Sequence, residues 1–325
     1  MSVDFLTSGS WFGSQIYVLL FLQNIRLHLG PVFDKLFMSI TFLGELFVPT
    51  FIMCVIYWCF DFCAGVFLFS LNSSVMLTAL LLKCIFCVKR PWILSDKIKP
   101  VKAAFGGAGG YSFPSGHTSM AASSFGGMAY LFRKNKMVLW SLVILVLFVG
   151  FSRLYLGVHT PQDVLTGLIL SVIFIFTLSK LIDFCEKDKN RYLYSLAVFD
   201  IVLAVILFII LYKSYPLDYV DGKLLVNPLH AKYIAVVYSS WLAGLINGAY
   251  LCARFFRFDP KAGSVLSKIL RSVIGGIILY ICLRIAQIYF FESIADFKLT
   301  FACMFSVGFF ATAVYPYIFT KFSSK

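Results

Sequence analysis

Long apolar runs, each closed by a short cluster of charged or turn-forming residues, set the pattern of the chain. Runs of roughly 18 to 25 residues, long enough to cross a bilayer core as a helix, lie near 42–60, 63–88, 115–132, 137–155, 163–183, 193–213, 233–253, 265–290 and 298–320. A tenth candidate, Trp11 to Leu27, is short and interrupted by Gln23 and Asn24, and either spans or lies in the interface. Backbone groups inside lipid must pair within their own segment, and neither the lengths nor the patterning suit a barrel. Each run is therefore predicted to be a helix.

Composition makes that reading general. Of 325 residues 60% are hydrophobic, and the mean hydropathy is +0.89, beyond what the surface of a soluble domain tolerates. The fold class expected is an all-α polytopic membrane protein. The N-terminus carries Asp4 and lacks a basic leader and a small-residue cleavage site, so no signal peptide is expected.

The net charge of +13 raises the question of nucleic acid, but the positive residues lie in loops between spans and not along one soluble face. No nucleic-acid partner is expected. The strongest basic clusters are Arg133, Lys134 and Lys136, then Arg254, Arg257, Lys261, Lys268 and Arg271, and finally Lys321 and Lys325. The positive-inside rule makes these cytoplasmic, and alternation of the spans keeps them mutually consistent. A weaker cluster of Lys187, Lys189 and Arg191, diluted by Asp183, Glu186 and Asp188, falls on the same side. Residues 89–114 disobey: alternation places them outside, yet they carry Lys89, Arg90, Lys97, Lys99 and Lys102 against a single Asp96.

The chain has nine cysteines, seven of them (Cys54, Cys59, Cys63, Cys84, Cys87, Cys282 and Cys303) in spans or at their ends, where a thiol behaves as a small hydrophobe. Cys84 and Cys87 form a CxxC with no second pair or nearby histidine to complete a zinc set.

Three polar islands interrupt the apolar pattern. In KCIFCVKRP, Lys83 and Arg90 are seven residues apart, so a continuing helix would set both cations on one face; snorkelling to the interface is the alternative. In YSFPSGHTSM, preceded by the glycine-rich FGGAGG of 105–110, Ser115 is a plausible N-cap that places Gly116 and His117 in the first helical turn, among free backbone N–H groups. In SRLYLGVHTPQD, Thr160 as N-cap, Pro161 at N1 and Asp163 at N3 make an acidic capping box that leaves His159 one residue before the helix. Asp163 either caps or also orients the His159 imidazole. His28 and His230 have no comparable company and read as interfacial.

Counting spans puts all three islands on one extracytoplasmic face, so that three cations, two histidines, one carboxylate and a helix N-terminus converge. Such a set suits metal-free phosphoryl transfer: arginine and lysine neutralise the equatorial oxygens, one neutral imidazole attacks phosphorus, and a protonated one serves the leaving oxygen. No aspartate-rich cluster is available there to hold magnesium, and no cofactor is expected.

Lys83 with six residues to Arg90-Pro91, Pro114-Ser115-Gly116-His117, and Ser152-Arg153 with five residues to His159 and three more to Asp163 together resemble the three-part signature of the phosphatidic acid phosphatase type 2 superfamily. The resemblance covers about residues 1–185 and implies a catalytic membrane core of six helices over 1–189, with about four additional transmembrane helices of unknown role over 190–325. Carried over by position, it implies His159 as nucleophile, Asp163 orienting it, and His117 as general acid. It further implies phosphate binding by Lys83, Arg90, Arg153, Ser115 and Gly116, with a supporting hydrogen bond from Ser152. The expected activity is release of phosphate from a phosphorylated lipid, the substrate and other membrane lipids being the expected partners.

A phosphotransferase of the same fold, a sugar phosphatase resembling glucose-6-phosphatase, and a lipid transporter or flippase stay open as alternatives. The expected location is a membrane, the bacterial inner (plasma) membrane, with the site on the extracytoplasmic face. Arg284, the notable intramembrane charge of the C-terminal part, is read as snorkelling, with contact to substrate or headgroup as the alternative.

Overall fold

The computed structural model describes residues 10–186, 189–220, 223–256, 258–291 and 296–322. The chain is an all-α polytopic membrane protein. The helices in chain order are α1 (Ser10–Leu29), α2 (Pro31–Phe42), α3 (Phe47–Cys59), α4 (Phe62–Phe86), the single turn α5 (Pro91–Leu94), α6 (Gly116–Leu131), α7 (Lys136–Tyr155) and α8 (Pro161–Glu186). After them come α9 (Lys189–Tyr212), α10 (Pro228–Phe255), α11 (Val265–Phe291), α12 (Phe297–Phe309), a π-helical turn (Phe310–Val314) and α13 (Tyr315–Phe322). A two-residue antiparallel pair, β1 (Tyr219–Val220) and β2 (Lys223–Leu224), lies between α9 and α10.

Among the described residues seven helices are long and apolar enough to cross a membrane, or eight if α2 and α3 form one span. Of these, α2–α3, α4, α7 and α8 precede residue 189 and α9, α10, α11 and α12–α13 follow it; α1 and the 16-residue α6 are not among them. The run predicted at 42–60 is corrected: α2 begins eleven residues earlier and bends by 41° into α3 across the break at 43–46. The break falls at Leu43-Gly44-Glu45-Leu46, where a glycine and a charge interrupt the apolar pattern.

The chain clusters into two compact units interleaved along the sequence. The first comprises Met1–Leu46, Thr78–Ile175 and Ile210–Lys232. Its core brings Phe37 of α2 together with Tyr155, Leu156 and Val158 at the end of α7 and with Ala104 and Ala108 of the loop before α6; the Phe37 and Tyr155 rings lie 4.1 Å apart. The polar residues that make α1 a doubtful span dock the positive loop. Gln23 donates to Lys97 O at 3.0 Å and accepts from Lys99 N at 2.6 Å, while Arg26, buried, donates to the carbonyls of Lys99 and Tyr155. A buried backbone polar group needs a partner, and α1 provides it.

The second unit comprises Phe47–Leu77, Phe176–Ile209 and Tyr233–Lys325. Small residues let α10 and α12 touch: a Cβ on Gly308 would lie 2.5 Å from Trp241 O. The π-turn frees carbonyls that side chains then occupy, with Trp58 Nε1 donating to Ala311 O and Tyr57 Oη to Thr312 O, both at 2.8 Å. Arg271, counted among loop cations from the sequence, is instead buried within α11. Its Nη1 donates to Trp58 O at 2.7 Å and its guanidinium lies 4.7 Å from the Phe319 ring. Arg284 is exposed. Asp4, Lys187, Asp188, Arg257 and Lys325, and the side chains of Asp183, Glu186, Lys189, Arg191 and Lys321, lie outside the described residues.

Candidate active site

The first island turns its cations inward by ending the helix, not by continuing it. α4 stops at Phe86, and Cys87 takes a left-handed conformation with φ 49°, so Lys83 and Arg90 do not share a helical face. Both grip the same returning stretch, 109–114, because the chain doubles back: Ser112 N donates to Val88 O at 2.7 Å. Lys83 Nζ donates to the carbonyls of Tyr111 (2.8 Å), Ser112 (3.1 Å) and Pro114 (2.9 Å). Three ammonium protons on three carbonyls fix the turn that precedes α6 and leave the positive charge beside it.

Arg90, 3% exposed, is similarly embedded. Its Nε donates to Gly110 O and its Nη2 to Gly109 O, both at 3.2 Å, and its Nη1 to Val158 O at 3.0 Å. The same Nη1 stands 2.9 Å from His159 Nε2.

The second island folds as its sequence predicts. Ser115 is the N-cap of α6, its Oγ accepting from Thr118 N at 3.4 Å and from Thr118 Oγ1 at 2.9 Å. Ser115 N donates to Asp163 O at 2.9 Å, which ties the starts of α6 and α8 together. Beside Gly116 a Cβ would meet nothing within 4 Å, so the first turn of α6 faces open space. His117 Nε2 is buried and has no hydrogen-bond partner among the described residues.

In the third island both halves of the acidic capping box form: Thr160 N donates to Asp163 Oδ2 at 2.8 Å and Asp163 N to Thr160 Oγ1 at 3.4 Å. The same Oδ2 stands 3.2 Å from His159 Nδ1 and accepts from Ser112 Oγ at 2.6 Å. One carboxylate oxygen therefore caps the helix and orients the imidazole. With Nδ1 donating to Asp163, Nε2 of His159 presents its lone pair, which accepts from Arg90. Burial, and then the cations Arg90, Arg153 and Lys83, hold the His159 imidazole well below its ordinary pKa; it rests neutral.

Arg153, 1% exposed, donates through Nη1 to Thr41 Oγ1 at 2.6 Å, while its Nε and Nη2 have no partner among the described residues. Ser152 Oγ donates to Val149 O of its own helix at 2.6 Å and serves α7 itself.

The structure brings Arg90, His159 and Asp163 into direct contact and sets Lys83 on the turn beside them. Buried, unpaired donors on Arg153 and an unpaired Nε2 on His117 are costly unless something polar fills them. A tetrahedral oxyanion has the matching acceptors. Sequence reasoning missed Ser112 and Thr41. Ser112 lies three residues before the N-cap in a stretch with no periodicity, and Thr41 lies in an apolar run; nothing local marks either one. His28 is exposed, with Nδ1 2.8 Å from Asn24 O, and His230, half-buried, packs on Gly109.

Comparison with known proteins agrees with the motifs. The PAP2 superfamily matches residues 63–187, and the transmembrane extension of PAP2 superfamily phosphatases matches residues 236–325. The chain is 34% identical over 111 residues to phosphatidylglycerophosphatase B of Bacillus subtilis, covering 32% of this chain and 52% of that protein. It is 46% identical over 65 residues to an undecaprenyl-diphosphatase of the same organism, covering 20% and 32%. To the lipid A 4'-phosphatase of Porphyromonas gingivalis it is 34% identical over 113 residues, covering 34% and 48%. The matched segments thus span about a third to a half of these relatives' own lengths. The crystal structure of a transmembrane PAP2-type phosphatidylglycerolphosphate phosphatase from Bacillus subtilis is similar with a TM-score of 0.46 and 24% identity, covering 57% of this chain and 90% of that one.

Proposed function

The chain belongs to the PAP2 superfamily, and from that premise we propose that it is a metal-independent phosphatase that removes phosphate from a membrane lipid phosphate or diphosphate. The observation that carries the reading is the buried cluster in which a neutral His159, held by Asp163, points Nε2 at Arg90 while donors of Arg153 and Nε2 of His117 stay unpaired. The relatives' names share a phosphate carried on a lipid, which supports the substrate class.

In the proposed reaction the substrate phosphoryl oxygens accept from Arg153 Nε and Nη2 and draw the Arg90 donor away from His159. The freed Nε2 lone pair forms a bond to phosphorus as the ester or anhydride P–O bond breaks. His117, protonated once the dianionic phosphate offsets the surrounding cations, gives its proton to the leaving oxygen. Asp163 accepts from Nδ1 throughout and steadies the positive charge on the imidazole. Water then attacks the phosphohistidine with His117 taking its proton, inorganic phosphate leaves, and His159 returns. The amide groups at the start of α6, around Gly116 and beside the Ser115 cap, face the same oxygens. Lys83 acts through its charge and through the turn it holds, since its protons are already paired with carbonyls.

Placement of this site on the extracytoplasmic face, which the loop charges support, and in a bacterial inner membrane, which the bacterial relatives support, belongs to the same proposal. The excess of lysines in 89–114 would then draw anionic headgroups towards it. The test is phosphate release by detergent-purified protein from a panel of lipid phosphates in EDTA, wild type beside His159→Ala. Release that survives EDTA and vanishes in the variant is the expected result. No release by the wild type from any member would overturn the reading.

A further inference from the structure

The glycine-rich stretch 105–110 has more to do than lead into α6. The carbonyls of Gly109 and Gly110 receive Arg90 Nη2 and Nε, and Arg90 Nη1 stands 2.9 Å from His159 Nε2. Where this loop sits therefore decides where the guanidinium sits. Glycine carries the largest backbone entropy of any residue, so a loop with four glycines in six positions needs external support to hold an arginine to within the fraction of an ångström that transition-state binding requires.

That support comes from outside both matched segments. Residues 210–232 lie between them, in neither 63–187 nor 236–325, yet they fall within the compact unit that holds the site. Asn227 starts α10, its Oδ1 accepting from Leu229 N at 3.0 Å and its carbonyl from His230 N at 3.2 Å, which sets His230 in the first turn. The imidazole packs directly on the glycine loop: a Cβ on Gly109 would lie 2.6 Å from His230 Nε2, and one on Gly110 3.7 Å from its Cδ2. On the other side a Cβ on Gly107 would lie 3.3 Å from His117 Cε1. The loop is seated between two histidines, one of them from the segment between the two matched stretches. The same segment touches three other supports of the site. Asp218 pairs with Lys89 at 3.0 Å, the Tyr215 ring stacks on Tyr111 at 6.1 Å, and Lys213 Nζ lies 3.5 Å from Cys87 Sγ.

We infer that His230 is a positioning residue of the phosphatase site, seating Gly109 and Gly110 so that their carbonyls hold Arg90 against His159. The inference rests on the phosphatase reading and gives the segment after α9 a part in that reaction. It acts through Arg90 and does not touch the reacting atoms.

The experiment uses the full chain purified in detergent with a lipid phosphate hydrolysed by the wild type. It measures kcat, KM, pH profile and melting temperature for His230→Ala, His230→Gln, Gly109→Ala, the double variant Gly109→Ala/His230→Ala, and His28→Ala as an exposed control. His230→Ala is expected to lower kcat/KM about 10-fold or more with a melting temperature within a few degrees of wild type, and His230→Gln to lie between the two. Gly109→Ala is expected to be worse, because its methyl meets the ring, and the double variant to recover part of that loss, because the ring is gone.

The acid limb of the kcat/KM profile should move to higher pH in His230→Ala. Arg90 is one of the cations, with Arg153 and Lys83, that keep His159 neutral, while Asp163 and His117 are the other titratable groups facing it. A merely structural role would leave that limb in place. His230 variants with wild-type kcat/KM and pH profile, or losses in Gly109→Ala and His230→Ala that simply multiply, would overturn the inference while a wild type silenced by His159→Ala kept the phosphatase reading intact. A wild type that releases no phosphate overturns that reading and, with it, this one.

Discussion

Arg153 and Arg271 are both buried at 1% exposure, one in each compact unit, and the difference between them is instructive. Arg271 has its Nη1 on the Trp58 carbonyl at 2.7 Å, its Nη2 facing Ala262 O at 3.4 Å, and aromatic faces of Phe319 and Phe258 over its guanidinium at 4.7 and 5.7 Å. It joins helices. Arg153 has one partner, Thr41, and two nitrogens with none among the described residues, beside a histidine whose Nε2 is equally unpaired. Arg271 leaves only its Nε without a partner among the described residues, against two nitrogens of Arg153; a buried charge that the protein itself mostly satisfies reads as structural, and one with more donors unmatched in a polar cluster fits a ligand.

The largest expected effect is at His159, the proposed nucleophile. His159→Ala should lower phosphate release from lipid phosphate by about 1,000-fold or more, measured as kcat/KM, while Arg271→Met leaves the chemistry within a few-fold of wild type. Next, Arg153→Met should cost about 100-fold in kcat/KM without lowering the melting temperature, because replacing a desolvated and partly unpaired guanidinium by an apolar chain relieves the burial penalty. The same exchange at Arg271 should do the reverse: leaving the Trp58 carbonyl unpaired costs about 1–3 kcal/mol, read as a melting temperature several degrees lower. Equal losses of stability in the two variants would erase the distinction between the units.

Ser112→Ala should lower kcat/KM about 10-fold, since it removes the 2.6 Å donor that holds the Asp163 oxygen beside His159. The smallest effect is in stability against pH. His159 is kept neutral in the fold, whereas the unfolded chain protonates it below the ordinary imidazole value of about 6.5. The unfolded state then binds more protons, so stability falls as pH drops through that value. The melting temperature of His159→Gln should fall less than that of the wild type between about pH 7 and pH 5; parallel curves would show that His159 titrates alike in both states.

The spans were legible because lipid imposes one length and one backbone solution, and the three polar islands stood out against them. The caps at Ser115 and Thr160 were legible for a local reason too, since each needs only residues within three positions. The start of the span near 42 was misread because a 41° break hides in an apolar composition. Arg271 was assigned to a loop because its neighbours in sequence are charged, whereas its partners Trp58 and Phe319 are far along the chain. Ser112 escaped notice, and His230 was read only as interfacial, for the same reason. Their significance lies in a partner 51 residues away in one case and in a glycine backbone that carries no pattern in the other.

By itself the sequence determined that the chain folds in a membrane as helices and which residue types meet at its polar interruptions, because both follow from local spacing and from the cost of unpaired groups in lipid. Only the tertiary structure decided how those groups are used. It ended α4 early so that Lys83 and Arg90 hold one returning turn and do not share a helical face, placed a single Asp163 oxygen in two roles, and left two nitrogens of Arg153 without a partner among the described residues. Those outcomes depend on distances between segments far apart in the chain, which hydrogen-bond geometry resolves to tenths of an ångström and residue pattern does not encode.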